Sequence, residues 1–242
     1  MRNMIRAELV SLRTLRSTWG ILAMVALAGV AATIGDFSEA GSDKLSMLAD
    51  MRDTLARDAG VVSAMFMTLF AAARVGAEYR YGTIGQRLLA APRRGRMLAA
   101  KLGVFGTLGA VTGVVTTAAA LPVAKAVASS KGAAFGISGS QVAAMLGEVA
   151  LAGGLFAMLG VGVAYVTRSQ QAAILVILGT FVVEEIVIGF LGTVGHYLPY
   201  QLLNSTLDLG DLAPLTSGIV LGGLAVAVAA GASRLVTRRD VT

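Results

Sequence analysis

Cysteine is absent from this sequence, and 242 residues hold only four prolines, one histidine and one tryptophan. Without cysteine there is no disulfide and no thiol chemistry. One histidine cannot furnish a usual nitrogen-and-oxygen zinc set. Charge is also scarce: 14% of residues are charged, against about 25% in soluble domains. The phosphate-binding pattern G-x-x-x-x-G-K-[ST] occurs nowhere in the chain, so any nucleotide cradled by that loop belongs to a partner. Apolar side chains are what is abundant, at 56% of residues and a mean hydropathy of +0.76.

The apolar residues are gathered into six runs, at about 17–35, 60–77, 99–124, 138–166, 170–191 and 212–236. Each is close to the roughly 20 helical residues that cross a hydrocarbon layer about 30 Å thick. Barrel strands would be shorter and would alternate in polarity. Uniformly apolar runs close their backbone hydrogen bonds internally only as helices. The expected fold is therefore all-α, a single membrane domain over residues 1–242 with six transmembrane helices. The first run is long and is followed by no soluble mature domain, so we expect a span there and not a cleaved signal.

The charges between the runs predict an orientation. With the N-terminus inside, the inner segments collect Arg2, Arg6, Arg13, Arg16, Arg74, Arg80, Arg87, Arg93, Arg94, Arg96, Lys101, Arg168, Arg234, Arg238 and Arg239, fifteen of the twenty basic residues. The outer segments collect acids, among them Asp36, Asp50, Asp53, Asp58, Asp208 and Asp211. Both termini are expected in the cytoplasm, and the net charge of +6 is accounted for by topology and anionic lipid, with no nucleic-acid partner.

Two inner segments carry local structure. Residues 1–18 plot as an amphipathic helix, with Ile5, Leu12, Leu15 and Trp19 on one arc beside four arginines. Such a helix lies along headgroups as an "elbow". Between the second and third runs, residues 78–101 read E-Y-R-Y-G-T-I-G-Q-R-L-L-A-A-P-R-R-G-R-M-L-A-A-K. Gly82 can end one helix in a left-handed conformation, and Thr83 with Gln86 forms a capping-box pattern for another. Pro92 then closes a short helix over 84–91, and Arg93-Arg94 begins a basic turn back to the membrane. A membrane-surface loop and a docking helix for a cytoplasmic motor both fit this unit.

The run from Glu78 through Gly82-Thr83 to Pro92-Arg93-Arg94 and Lys101 resembles the cytoplasmic loop of type-2 ATP-binding-cassette (ABC-2) permeases, six-helix subunits of bacterial exporters. The basic N-terminal helix, acidic first outer loop, outer segment 192–213 and basic tail extend the likeness along the chain. The resemblance implies that 84–91 is a coupling helix fitted to a separate ATPase subunit, with Glu78, Thr83, Gln86, Arg87, Pro92 and Arg93 forming or shaping the contact. It implies ATP and Mg on that ATPase, a second permease copy as homodimer or heterodimer, and the bacterial inner (plasma) membrane as location. It also implies a substrate path lined by the second and fifth spans, where Ser63, Phe66, Met67, Thr180, Phe181 and Glu184 are candidates.

Within the runs, Glu148, Glu184 and Glu185 either face a cavity or a partner, because a carboxylate in hydrocarbon is costly, or lie near the outer interface, as Glu184 and Glu185 would if the fifth span ended near Val187. Adjacent Glu184 and Glu185 point about 100° apart on a helix and cannot share one narrow site equally. Gly109/Gly113 and Gly218/Gly222 have the spacing that allows close helix packing. The aromatics, proline and His196 of 192–213 suit a re-entrant or interfacial segment. Two other functions stay open. A secondary transporter or channel would use the intramembrane glutamates. A rhomboid-like serine protease would use Ser138 in Gly136-Ile137-Ser138-Gly139, which is similar to the G-x-S-G of that family, yet the single histidine, His196, falls in the segment between the fifth and sixth runs. The expectation is a transport subunit without covalent chemistry of its own.

Overall fold

The structure is a computed structural model and describes residues 2–14, 16–40, 48–84 and 94–238. In chain order the elements are α1 (Arg2–Thr14), α2 (Arg16–Glu39), α3 (Leu48–Leu55), a π-helical stretch Ala56–Val61, α4 (Val62–Arg80), α5 (Arg94–Ser130), α6 (Gly139–Thr167), α7 (Gln170–Leu191), a 3-10 turn Gly192–Tyr197, α8 (Pro199–Thr206) and α9 (Pro214–Arg238). No strand occurs among the described residues. Six helical stretches are long and apolar enough to cross a membrane: Thr18–Glu39, Met51–Arg80, Gly95–Ser130, Gly139–Thr167, Gln170–Tyr197 and Pro214–Ala232. All six coincide with the apolar runs of the sequence.

The second and third spans are longer than expected, for identifiable reasons. The second begins not at Gly60 but at Leu48, running through the π-helical stretch into α4. Its first turns contain Arg52 and Asp58, which hydropathy assigns to water; in the fold both are buried. The third continues past Pro122 to Ser130. Proline lacks a backbone donor but can be tolerated within a membrane-spanning helix. The added turns bring Lys131 to the far end of α2, where its ammonium donates to the carbonyls of Ser38 and Ala40. A cation at a helix C-terminus complements the unsatisfied carbonyls there.

Helix directions follow from which residues meet. Gly106 faces Gly154, Gly109 faces Gly153 and Gly113 faces Val149, so α5 and α6 run antiparallel. A Cβ on Gly109 would come within 2.3 Å of the Gly153 carbonyl oxygen, so side chains are excluded at this crossing. Lipid is as apolar as leucine, and close backbone packing is what holds such helices together. Gly218 meets Leu151, Gly222 meets Leu155 and Gly162 meets Val228, so α9 runs parallel to α6. Gly60 meets Val149 and Gly160 meets Thr68, so α4 does as well. The bundle therefore has a loop end, with Gly82, Lys101 and Arg168, and a far end, with Arg52, Lys131 and Asp208.

Within the spanning windows, 67% of the second and 61% of the fourth residues are buried, against 22% of the first and 17% of the fifth. Helices α4 and α6 thus form the core, and α2 and α7 its periphery. The segment 192–213, expected to be irregular, is largely helical. Pro199 stands in the first turn of α8, where its fixed φ and missing donor suit a helix start. Leu202, Leu203 and Leu207 are fully buried, so this short helix folds back into the bundle.

Candidate functional site

The loop end is organised by Lys101. Its side chain is 1% exposed, and its ammonium donates to Glu78 Oε1 at 2.6 Å and to Glu8 Oε1 at 2.9 Å. One cation thereby joins α1, α4 and α5. An ammonium has three donors and no acceptor, so it can serve two carboxylates on different helices. Glu78 and Lys101 are also the two ends of the loop motif, and the loop closes on its own base.

Above that base, α4 ends as the sequence predicts. Gly82 takes φ +68°, and its N–H donates to the Tyr79 carbonyl at 3.2 Å. The Thr83 hydroxyl donates back to the Glu78 carbonyl at 3.4 Å. Gln86, Arg87, Pro92, Arg93 and most of the expected coupling helix 84–91 lie outside the described residues. Beside the loop, Arg168 is left-handed at φ 52° and Ser169 caps α7, giving a tight turn between α6 and α7. Arg80 reaches Gln170 across it at 3.4 Å, and Tyr79 meets Tyr165 edge-on at 6.0 Å.

The far end has a different centre. Arg52, with an 11% exposed side chain, reaches Glu148 at 2.5 Å, Asp53 at 3.1 Å and Asp208 at 3.4 Å. The guanidinium fork joins α3, α6 and the turn after α8. Glu148, expected to have a partner within the membrane domain, has one here.

The candidate path residues are not brought to one surface. Ser63 and Met67 are buried in the core, while Phe66 is 37% exposed. Thr180 and Phe181 do line a common cavity of about 140 Å³, with Thr68, Phe156, Pro199 and Leu224. Phe181 stacks on Phe156 at 6.2 Å and meets Tyr200 edge-on at 5.6 Å. Glu184, one turn further along α7, is 3% exposed, and its Oε2 accepts the Tyr200 N–H at 2.7 Å. It caps the start of α8 from a neighbouring helix, a position where a carboxylate is favoured by the unsatisfied donors. Glu185 is exposed, as the angular separation of adjacent residues requires.

Ser138 has a local task. Its hydroxyl accepts the Gln141 N–H while the Gln141 side chain accepts the Ser138 N–H, a complete capping box at the start of α6. His196 is paired with Asp211 at 2.9 Å. The G-x-S-G pattern is thus used as a helix start.

Two members of these centres escaped the sequence reading. Glu8 is the only acid in the first 35 residues, set among arginines. Arg52 is a base within an acidic stretch. Each is a residue of the wrong sign for its surroundings, which is the available signal.

Comparison with protein-family models and with curated proteins gives no match. Fold and composition define a helical protein with six candidate membrane-spanning helices. Beyond that class, function rests on the chemistry of the loop end.

Proposed function

We propose that this chain is the permease subunit of an ABC-2 type exporter, located in the bacterial inner membrane with both termini cytoplasmic. Two copies, or this chain and a related one, would form the path, and two cytoplasmic ATPase subunits would supply the energy from ATP and Mg. The cargo class is a hydrophobic or amphipathic solute such as a drug, peptide antibiotic or lipid. The chain itself performs no covalent chemistry.

The observation that carries this reading is the Glu78–Lys101–Glu8 centre at the base of the loop. A loop that transmits force must not deform at its roots. With Glu78 and Lys101 joined, and α1 held to the same cation, displacement of residues 84–91 by a closing ATPase moves α1, α4 and α5 together. Helix α4 packs on α6 and α7, so its movement bears on the cavity at Thr180 and Phe181.

The secondary-transport reading has less support. Its carriers would be Glu148 and Glu184, and both are engaged, one by Arg52 and one by the Tyr200 N–H. The deciding experiment co-purifies the chain with an ATP-binding-cassette ATPase subunit co-expressed from the same genome, as wild type and as Arg87→Glu. Loss of the complex in the variant is expected. A complex and transport-coupled hydrolysis unchanged by Arg87→Glu and by deletion of 84–91 would overturn the exporter reading, and transport that collapses with the proton gradient but not without ATP would establish the other.

A further inference from the structure

Two apolar grooves flank one ridge of α5. The first, about 370 Å³, lies between α1 and α5, with Ile5, Leu9 and Leu12 on one wall and Val104, Leu108 and Val111 on the other. The second, about 260 Å³, lies between α5 and α6, with Leu102, Leu151, Leu155 and Met158. Both include Gly103 and Thr107 in their lining. These two residues are exposed and one turn apart, so they form the ridge between the grooves. The ridge is low: a Cβ added at Gly103 would meet no atom within 4 Å. It is also without a free donor, since the Thr107 hydroxyl donates to the Gly103 carbonyl at 2.8 Å. Neighbouring grooves divided by one helix ridge suit two hydrocarbon chains that are joined at one end.

The charge lies where the joined end would be. Arg96 precedes Gly103 by seven residues, hence shares its face and stands about 10 Å nearer the helix start. It is exposed at the border of the third spanning segment, Gly95–Ser130, and has no ion-pair partner among the described residues. The N-terminal end of a helix adds its own positive polarity. On α1, steps of 100° per residue place Glu8 to one side of the groove-lining Ile5, Leu9 and Leu12, and Arg6 and Arg13 to the other. Glu8 is turned inward to Lys101, while Arg6 and Arg13 are exposed along the groove's opposite rim.

We propose that the α1–α5–α6 surface binds one diacyl phospholipid with an anionic headgroup. Its phosphate is held by Arg96 and Arg6, and its two chains lie one in each groove. The site does not depend on the exporter reading. It gives α1 a second attachment beside the Lys101 pair, one supplied by the membrane.

The test uses the full chain, purified in detergent and stripped of lipid, with phosphatidylglycerol, phosphatidylcholine or soluble glycerol phosphate added and retention read by native mass spectrometry. One phosphatidylglycerol per chain is expected, favoured over phosphatidylcholine by about 25-fold, as two arginines worth about fivefold each would give. Arg96→Gln should lose about fivefold of that preference, weakening phosphatidylglycerol more than phosphatidylcholine, whose choline cation already offsets the phosphate charge. Gly103→Trp, which fills both grooves, should abolish retention of either lipid. Gly147→Trp, at an equally open glycine of α6, should not. Should Gly103→Trp fail to fold, Gly103→Leu makes the same comparison. Equal retention of the two lipids by wild type, retention by the groove-filled variant, or glycerol phosphate binding as tightly as the lipid would each overturn the proposal.

Discussion

The two ends of the bundle solve the same problem with different residues. At the loop end a lysine that is 1% exposed meets two carboxylates that are 11% and 12% exposed. At the far end an arginine that is 11% exposed meets Glu148 at 17%, Asp53 at 43% and Asp208 at 55%. The lysine centre is compact and little exposed, so water reaches its three charges far less. The arginine centre opens to water on one side, and two of its acids can be solvated without it. The flexible ammonium converges two helices on a third; the planar guanidinium fans out over a surface. The loop end thus ties three helices to one buried cation, while the far end shares its cation with two acids that water can also reach.

The largest effect that would test this contrast is expected for Lys101→Met. Removing the ammonium that two buried carboxylates share should lower unfolding stability in detergent by about 3–5 kcal/mol. Adding Glu8→Leu and Glu78→Leu should restore most of it, because an apolar triad needs no charge balance. A Lys101→Met protein as stable as wild type would remove the distinction between the ends.

Arg52→Leu comes next, at about 1.5–3 kcal/mol, because water takes over part of the solvation of Asp53 and Asp208. Arg52→Lys should recover less than half of that, since a point charge cannot span three carboxylates. Full recovery would mean that the fork geometry is irrelevant. Glu184→Ala should cost about 1–2 kcal/mol through the lost cap of α8, and Ser138→Ala about 0.5–1 kcal/mol at the more exposed start of α6. Thermal unfolding would rank the two. A Glu184 variant that leaves stability intact but abolishes transport would instead assign that carboxylate to the path.

The smallest effect concerns salt. At 1 M ionic strength the screening length is about 3 Å, so the Arg52→Leu penalty should shrink by about 0.5 kcal/mol while the Lys101→Met penalty stays the same. Equal salt dependence at both ends would show that they are equally wet.

Much of this arrangement was legible residue by residue. The six runs correspond to the six spanning helices because each has to bury an apolar surface over a fixed thickness. The stop at Gly82 follows from the one residue type that takes a positive φ without strain. The divergence of Glu184 and Glu185 follows from helix geometry. The helix start at Leu48 and the burial of Arg52 were not legible, because hydropathy scores a charge as though water were its only partner. The partner of Arg52 is 96 residues away, at Glu148.

The scarcity of charge in this sequence is thus decisive in two ways. By itself the sequence determined that the chain is helical, that six segments can cross a membrane and that basic residues gather between alternate pairs of them, since these depend on length, hydropathy and backbone hydrogen bonding within each segment. Only the tertiary structure decided which of the few charges lie inside, that Lys101 chooses Glu8 and Glu78, that Glu184 caps α8, and that α5 presents a glycine ridge between two grooves. Those depend on distances between helices remote in the chain, and no local pattern encodes such a distance.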